Sequence, residues 1–257
     1  MKITAAVITR NEEKRLEPAL KSVAEVADEI VVVDSYSDDE TLKIARRYNC
    51  RIFHRKWKDY ADQKNYASSR ARHPWIFSLD ADERISPELK AEILSLKDRD
   101  HSYSGFSIPV SNYYLGKWIR HTGWYAARQI RLFLKERAHW EGESINETLV
   151  IEGEVGKLRG KIHHFAFRSI SNELKRMDKY SGLEAKKLYT AGKKCRLFHL
   201  LFSPFSGFMK VYFFRLGFLD GFAGLVISVF NGYERFIRYA KLREIWHKGE
   251  RIEPFPY

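Results

Sequence analysis

The sequence is poor in cysteine, and its first residues do not show the pattern of a signal peptide. Its 257 residues include only two cysteines, Cys50 and Cys195, which lie far apart in the chain. Two such thiols do not make the disulfide framework of a secreted domain, so we expect reduced cysteines in a cytoplasmic protein. The apolar run Ile3–Ile8 near the amino terminus is too short for a signal peptide and lacks a cleavage site.

Glycine is absent from the first predicted strand-to-helix turn, Thr9–Lys14. The G-x-G-x-x-G fingerprint of dinucleotide-binding folds is therefore missing, and the chain also lacks the G-x-x-x-x-G-K-[ST] phosphate loop. These absences disfavour a Rossmann oxidoreductase. A nucleotide held by side chains and a metal ion is still compatible with the sequence.

Acidic residues are scarce in the second part of the chain. Residues 1–150 carry 25 Lys and Arg against 23 Asp and Glu, whereas residues 151–257 carry 20 against 10. A basic surface attracts nucleic acid, anionic lipid or a phosphorylated substrate, and charge alone does not choose among them. The length allows one good core and a small appendage.

Strand and helix patterns alternate over the first 80 residues. Near-continuous apolar strands that alternate with helices indicate a mainly parallel sheet covered on both faces, which is an α/β fold. The predicted strands are Ile3–Ile8, Ile30–Val33, Arg51–His54 and Trp75–Leu79. The predicted helices are Arg15–Val26, Thr41–Tyr48 and Asp62–Arg72.

Polar side chains follow three of these predicted strands. Thr9 and Asn11 follow the first, Asp34 ends the second, and Asp80 and Asp82 follow the fourth. In open α/β sheets ligands bind beyond the carboxyl ends of the strands, so we expect these side chains to form one site. The Asp-x-Asp pair supplies the hard oxygen ligands that suit Mg²⁺ or Mn²⁺.

The pattern changes twice further along the chain, which predicts three regions. Residues 1–104 form the alternating part, residues 105–168 contain strands and irregular segments, and residues 169–257 are mainly helical. Strands are predicted at Gly105–Val110, Gln129–Leu134, Trp140–Val150 and Gly160–Ile162, and a helix is predicted at Glu173–Tyr189.

Ten aromatic residues are concentrated between positions 198 and 230. Lys210, Arg215 and Asp220 interrupt this region, so it contains no uncharged apolar run of about 18–20 residues that could span a bilayer. Aromatic helices beside a basic surface favour a membrane-interface region, with a buried core or a dimer interface as the alternative. The aromatics lie among aliphatic residues and do not alternate with Lys and Arg, which disfavours a nucleic-acid partner.

Several motifs in this order resemble the family 2 glycosyltransferases of the GT-A fold, and among them bacterial lipopolysaccharide-core β-glucosyltransferases. The motifs are Ile8–Glu13, Glu29–Thr41, Gln63–Ala67, Leu79–Glu83, Arg128–Arg131, Trp140–Gly142, Asn146–Glu147 and Tyr239–Leu242. The resemblance implies a nucleoside-diphosphate sugar donor, a UDP-sugar in the first instance. It also implies a bound Mg²⁺ or Mn²⁺ and inversion at the anomeric carbon. The implied acceptor is a lipopolysaccharide core or another lipid-linked glycan, reached by peripheral binding to the inner face of the cytoplasmic membrane.

The resemblance also implies a role for individual residues. Tyr36 and Glu40 stand where small residues, often glycine, are usual in the family. The implied nucleoside-binding residues are Thr9, Asn11, Glu12 and Asp34, with Asp39 supporting their loop. The residues implied at the diphosphate and metal are Lys64, Asp80 and Asp82. The further candidates are Arg128 and Arg131 as a phosphate clamp or a solvated face, and Trp140 as a sugar platform or a core aromatic.

Glycosyl transfer also needs a carboxylate that removes the proton of the acceptor hydroxyl. Glu147 is the first candidate, because it lies in an otherwise apolar segment, and Glu143 is the second. Transfer to a polyprenyl phosphate is the alternative reaction, and its phosphate acceptor needs no strong base. His163 and His164 follow the predicted strand Gly160–Ile162 and could approach the metal or the diphosphate. Adjacent strand side chains point to opposite faces, so both cannot bind one ion, and ordinary polar positions are the favoured interpretation.

Overall fold

The computed structural model describes residues 1–99, 101–123, 127–142, 147–167 and 169–248. These residues belong to two compact units. The first unit consists of Met1–Asn112 and Ala126–Ala166, and the second of Tyr113–Tyr125 and Phe167–Tyr257. The sequence predicted three regions, whereas the structure divides into two units, so the three-region division stays a prediction.

Strands and helices alternate along the first part of the chain, as predicted. The elements are β1 (Ile3–Thr9), α1 (Leu16–Val23), β2 (Glu29–Asp34), α2 (Thr41–Arg47), β3 (Arg51–His54), α3 (Tyr60–Arg70), β4 (Trp75–Asp80), β5 (Glu83–Ile85) and α4 (Pro87–Lys97). Strands then dominate: β6 (Gly105–Tyr114), β7 (Lys117–Trp118), β8 (Arg128–Leu134), β9 (Ala138–Glu141), β10 (Thr148–Ile151), β11 (Val155–Lys157) and β12 (Ile162–His164). A 3-10 turn, Lys135–Arg137, separates β8 from β9.

One sheet organises the first unit in the order β3-β2-β1-β4-β8-β6-β12-β5. The strands β3, β2, β1 and β4 are mutually parallel, and β8 joins β4 antiparallel. The predicted α/β fold with a mainly parallel sheet in its first part is thereby confirmed. The segment predicted as one strand, Trp140–Val150, instead contributes to the separate antiparallel pair β9–β10.

The strand register aligns polar residues at the carboxyl edge of the parallel strands. Thr9 pairs with Asp34, and Asp34 pairs with His54 on the next strand. On the other side of β1, Ile8 pairs with Asp80. The strand register therefore places these residues together at one edge of the sheet, as expected from the sequence.

Helix α1 shows how the sequence pattern produces the core. Its buried residues Leu16, Ala19, Leu20 and Val23 recur at helical spacing and pack against the sheet. Complete burial of a leucine or valine side chain contributes about 1.5–3 kcal/mol each. The helix ends at Val23, three residues before the predicted boundary.

Helix α4 was not predicted from the sequence, although its start carries a recognisable signal. Ser86 accepts a hydrogen bond from the backbone N–H of Leu89, and Pro87 occupies the first helical turn. A serine cap followed by proline is a typical helix start. The buried residues Leu89 and Ile93 fix the inner face of α4.

The second unit is mainly helical, and two of its helices form an antiparallel pair. Its elements are α5 (Ile170–Thr190), α6 (Leu197–Met209), a π-helical turn (Lys210–Phe214), a 3-10 turn (Gly217–Asp220) and α7 (Gly221–Lys248). A Cβ atom at Gly207 would lie against Arg235, and one at Gly232 against the carbonyl of Pro204. Glycine at these positions allows α6 and α7 to pack closely.

A sharp reversal joins α6 to α7. Leu216 has a left-handed backbone with φ of 56°, and Gly221 has φ of 62°. A Cβ atom at Gly224 would lie only 1.8 Å from the carbonyl oxygen of Gly217, so no side chain fits there. The reversal therefore requires glycine at positions 217 and 224, where the two backbones touch.

The buried carboxylate of Asp220 anchors the short β-hairpin that begins this unit. It accepts hydrogen bonds from the backbone N–H groups of Arg120 and His121, and it lies 3.2 Å from the imidazole Nδ1 of His121. Thr122 donates its backbone N–H to the carbonyl of Arg215. These bonds tie the hairpin to the reversal between α6 and α7.

Large apolar side chains remain exposed on α6, on the reversal and on the start of α7. The most exposed are Phe214 at 82% and Phe222 at 72%. Residues Leu197–Phe214 are long and apolar enough to cross a membrane by length and composition, and they are mostly unburied. The expectation that Lys210 would exclude such a segment was therefore wrong by this criterion.

Candidate active site

Lys64 on α3 is the central cation of the site. Its side chain is only 3% exposed, and its Nζ lies 3.2 Å from Asp80 Oδ1 and 3.0 Å from Glu147 Oε1. The ammonium group also lies 4.6 Å from the ring centroid of Trp140. The structure thus brings together a predicted phosphate-binding lysine, a predicted aspartate and the predicted base.

A second buried cation, Arg131 on β8, holds the other side of Asp80. Its Nη2 lies 3.2 Å from Asp80 Oδ2 and 2.7 Å from Glu83 Oε1. Glu83 in turn accepts the backbone N–H of Asp80. Both Asp80 oxygens therefore have cationic partners, while Nε and Nη1 of Arg131 are buried without a hydrogen-bond partner among the described residues.

In this cluster, burial and the neighbouring cations shift the pKa values of the carboxyl groups in opposite directions. Burial would raise the pKa of Asp80, but Lys64 and Arg131 hold it well below its ordinary value. Burial raises the pKa of Glu83 above its ordinary value, with Arg131 opposing and Asp80 adding to the rise. Asp80 is therefore ionised, and its negative charge holds Lys64 and Arg131 at the end of β4.

Asp82 lies between two partners on different elements. Its Oδ2 lies 3.1 Å from Nη1 of Arg15, and its Oδ1 lies 3.5 Å from Nε2 of His164. Burial alone would raise the pKa of Asp82, but the contact with His164 and the charge of Arg15 lower it. The imidazole Nδ1 of His164 lies 2.9 Å from Asn112 Oδ1.

Asp82 and His164 fit a divalent cation better than the predicted pair of aspartates. Nδ1 of His164 can donate to Asn112, which turns the Nε2 lone pair toward Asp82, and such an outer partner typically orients a metal-binding imidazole. Mg²⁺ and Mn²⁺ sites commonly use few protein ligands and complete their shell with substrate phosphates. No group of three or more potential metal ligands occurs among the described residues.

The predicted nucleoside-binding residues form a hydrogen-bonded loop system. The fully buried Asp34 accepts bonds from the hydroxyl of Thr9 at 3.0 Å and from the backbone N–H of Ser37 at 2.8 Å. Asn11 donates its backbone N–H to Ser37 Oγ, and its side-chain oxygen accepts the N–H of Asp38. The first two strand-end loops are therefore joined at their tips.

Thr41 and Asp39 complete the connection between these loops. The backbone N–H of Glu12 donates to Thr41 Oγ1 at 2.8 Å. The carboxylate of Asp39 accepts the N–H groups of Glu13 and Thr41. Asp39 thus occupies the loop-supporting position that the resemblance implied.

Tyr36 has an unusual backbone in this loop. Its φ is +59°, a left-handed conformation that costs a bulky residue about 1–2 kcal/mol. Its side chain is 65% exposed, and its ring stacks on His54 with 5.8 Å between ring centroids. The small residue usual in the family would adopt this backbone without strain.

Arg128 lies outside the cluster around Lys64, whereas Trp140 borders that cluster from the core. The guanidinium of Arg128 donates to the backbone carbonyls of Ser107 and Leu158. Trp140 is buried in the core, where Asn65 bonds both its backbone N–H and its carbonyl. Glu143, the second candidate base, lies outside the described residues.

Three residues of the site were missed by the sequence analysis. Arg15 was assigned only to a helix face, although it contacts Asp82 from the residue that precedes α1. Glu83 was read only as part of the acidic motif. His164 was expected to be an ordinary polar position, and alternation along β12 was the signal that one of the two histidines could face the site.

The chain belongs to glycosyl transferase family 2, whose family model matches residues 4–150. An uncharacterized glycosyltransferase of Rickettsia typhi is 31% identical over 98% of this chain and 90% of its own length.

Two further comparisons concern a named relative and a solved structure. The lipopolysaccharide core biosynthesis glycosyltransferase LpsC of Rhizobium meliloti is 28% identical over 93% of this chain and 91% of its own length. The crystal structure of S. aureus TarS 1-349 in complex with UDP covers 98% of this chain and 93% of that chain, with 15% identity and a TM-score of 0.47.

Proposed function

We propose that the protein is an inverting glycosyltransferase that moves a hexose from a nucleoside-diphosphate sugar to a lipopolysaccharide core or another lipid-linked glycan. A UDP-sugar is the first donor to test. The observation that carries the proposal is the placement of Glu147 beside Lys64 and Asp80, at the carboxyl edge of the parallel strands. The similarity to LpsC supports the acceptor class.

The donor side of the site supplies charge for the leaving diphosphate. Asp82 and His164 would hold Mg²⁺ or Mn²⁺, which acts as a Lewis acid on the diphosphate when bound. Arg15 carries positive charge beside Asp82, and Lys64 carries positive charge beside Asp80, which fixes the position of Lys64. Cations held in place before the reaction stabilise developing negative charge without reorganisation.

The acceptor side needs a base, and Glu147 is suited to that role. In a single displacement, a carboxylate oxygen of Glu147 takes the proton of the acceptor hydroxyl as the hydroxyl oxygen attacks the anomeric carbon. The bond from that carbon to the diphosphate oxygen breaks on the opposite side, which inverts the configuration. Glu147 is one-fifth exposed, so an acceptor can approach it.

The second unit is proposed to bring the enzyme to the inner face of the cytoplasmic membrane. Exposed phenylalanines on α6, the reversal and α7 offer an apolar surface, and residues 151–257 carry twice as many basic as acidic residues. Apolar insertion and attraction to anionic lipid act together on such a surface. Peripheral binding there would place the site near a lipid-linked acceptor.

A donor screen tests the proposed reaction. UDP-, GDP- and dTDP-hexoses are incubated with the protein and Mn²⁺, and release of the nucleoside diphosphate is measured with and without excess EDTA. We expect hydrolysis of one donor class that EDTA suppresses and that Asp82→Asn reduces about 10²-fold or more. Full activity in EDTA would contradict the metal assignment, and no turnover of any donor would contradict the function.

A second comparison separates the two acceptor classes. A hydroxyl acceptor requires the base, whereas a polyprenyl phosphate is already an anion. Retained transfer by Glu147→Gln onto polyprenyl phosphate would therefore favour the alternative reaction. Loss of transfer onto lipopolysaccharide acceptors by the same variant supports the proposal.

A further inference from the structure

We propose that Tyr36 is the platform on which the nucleobase of the donor stacks, and that it determines nucleotide affinity in this chain. The inference rests on the proposed function, since it assigns one contact of the same donor site. It concerns a residue that differs from the small residue usual in the family.

The backbone of Tyr36 is held in its left-handed conformation by the residues around it. On one side, the backbone N–H of Ser35 donates to the carbonyl of Thr9 at 2.9 Å. On the other, Ser37 donates both its N–H and its hydroxyl to the buried Asp34. Strained residues persist only where their surroundings fix them, and they are concentrated at functional sites.

Packing does not account for the tyrosine side chain. Tyr36 is 65% exposed, so most of its ring is in contact with solvent, and one face lies against His54 at an interplanar angle of 25°. The described residues make no hydrogen bond to its hydroxyl. An exposed aromatic ring in a strained position, already stacked on one face, offers its other face to a planar ligand.

The position of Tyr36 in the sheet matches the nucleoside end of the donor. The ring stacks on His54 at the end of β3, and His54 pairs in the sheet with Asp34, which ends β2. Asp80 ends β4, two strands away from β2, which corresponds to about 10 Å across the sheet. A nucleoside diphosphate that reaches from Tyr36 to Lys64 and Asp82 bridges this separation.

The test compares three variants in their binding of two probes. Tyr36→Gly removes the ring and relieves the left-handed backbone, and Tyr36→Phe keeps the ring. Asn49→Gly is the matched control, because Asn49 has φ of 53° in the loop between α2 and β3. Dissociation constants are measured for UDP and for inorganic pyrophosphate in the presence of Mn²⁺, together with the thermal midpoint of each variant.

We expect Tyr36→Gly to weaken UDP binding about tenfold, as the loss of one stacked base predicts. Pyrophosphate binding and the thermal midpoint should not decline, while Tyr36→Phe and Asn49→Gly should bind UDP as the natural chain does. Unchanged UDP affinity in Tyr36→Gly would overturn the inference, and so would an equal loss of UDP and pyrophosphate. If the natural chain binds no nucleoside diphosphate, the proposed function fails first, which is a distinct result.

Discussion

Lys64 and Glu147 form an ion pair, with 3.0 Å between Nζ and Oε1. The same ammonium group contacts Asp80, so one cation links the expected base to the strand end that is proposed to face the diphosphate. A diphosphate that attracts Lys64 would weaken its hold on Glu147. Donor binding and release of the base would then be coupled through a single side chain.

Glu147→Gln should abolish the chemical step and leave donor binding nearly intact. The amide keeps the size and hydrogen-bonding reach of the carboxylate but cannot accept the proton, so kcat should fall at least about 10²-fold, whereas donor affinity changes only a few-fold. Steady-state kinetics with saturating donor and a binding titration provide the measurement. Glu141→Gln is the control, because Glu141 is an exposed carboxylate in the same region. Normal kcat with weakened donor binding would make Glu147 a binding residue.

The adjacent residues His163 and His164 should differ in their contribution to Mn²⁺ affinity. His164→Ala removes the imidazole that faces Asp82, so we expect the apparent Mn²⁺ affinity to fall about 10–100-fold. His163→Ala is the matched control and should leave that affinity unchanged. A Mn²⁺ titration followed by electron paramagnetic resonance measures the free ion directly, without relying on turnover. Equal effects of the two substitutions would contradict the assignment of His164.

The buried pair Arg131–Glu83 should matter more for stability than any surface pair. Arg131→Met leaves the buried Glu83 without its cation, so the free energy of unfolding should fall by about 3–5 kcal/mol. Adding Glu83→Gln should restore part of the loss. The control is Lys43→Met, whose pair with Glu40 is 73% and 62% exposed and contributes about 0–1 kcal/mol. Chemical denaturation measures the free energy of unfolding of each variant. If Arg131→Met lowers it no more than Lys43→Met does, the prediction is wrong.

Membrane binding should depend on the exposed phenylalanines of the reversal. Replacing Phe213, Phe214 and Phe218 by serine removes apolar insertion, so flotation with anionic liposomes should drop sharply while the protein stays folded. Binding by the natural chain should need anionic lipid and weaken with salt.

The flotation experiment has a control on the first unit. Trp57 and Tyr103 are exposed aromatics there, and their replacement by serine should leave flotation unchanged. If the natural chain stays soluble beside anionic vesicles at low salt, the membrane proposal is wrong.

The sequence predicted the parallel half of the sheet well, because its signals are local. Apolar runs such as Ile30–Val33 and the helical spacing in α1 depend on nearest neighbours, and their boundaries were correct within a few residues. Helix α4 was overlooked, although its serine cap and proline provide an equally local signal. The antiparallel pair β9–β10 was predicted as one segment, Trp140–Val150.

The candidate site was predictable where strand ends carry unusual side chains, and less so where distant segments meet. Asp80 and Asp82 stand out in the sequence because a buried strand ends in carboxylates. Arg15 and His164 do not stand out, since the role of each depends on a contact with Asp82. Arg15 lies 67 residues before Asp82 in the chain, and His164 lies 82 residues after it. Only the folded chain shows that these side chains share one carboxylate.

The reversal between α6 and α7 has a topological consequence. Because the two helices run antiparallel, both ends of the hairpin emerge on the same side. A hairpin of this kind that enters a bilayer returns to the side from which it entered, although the segment Leu197–Phe214 alone is long enough to cross. The chain before the hairpin and the chain after it then remain in the same compartment, and no part of the enzyme needs to be translocated.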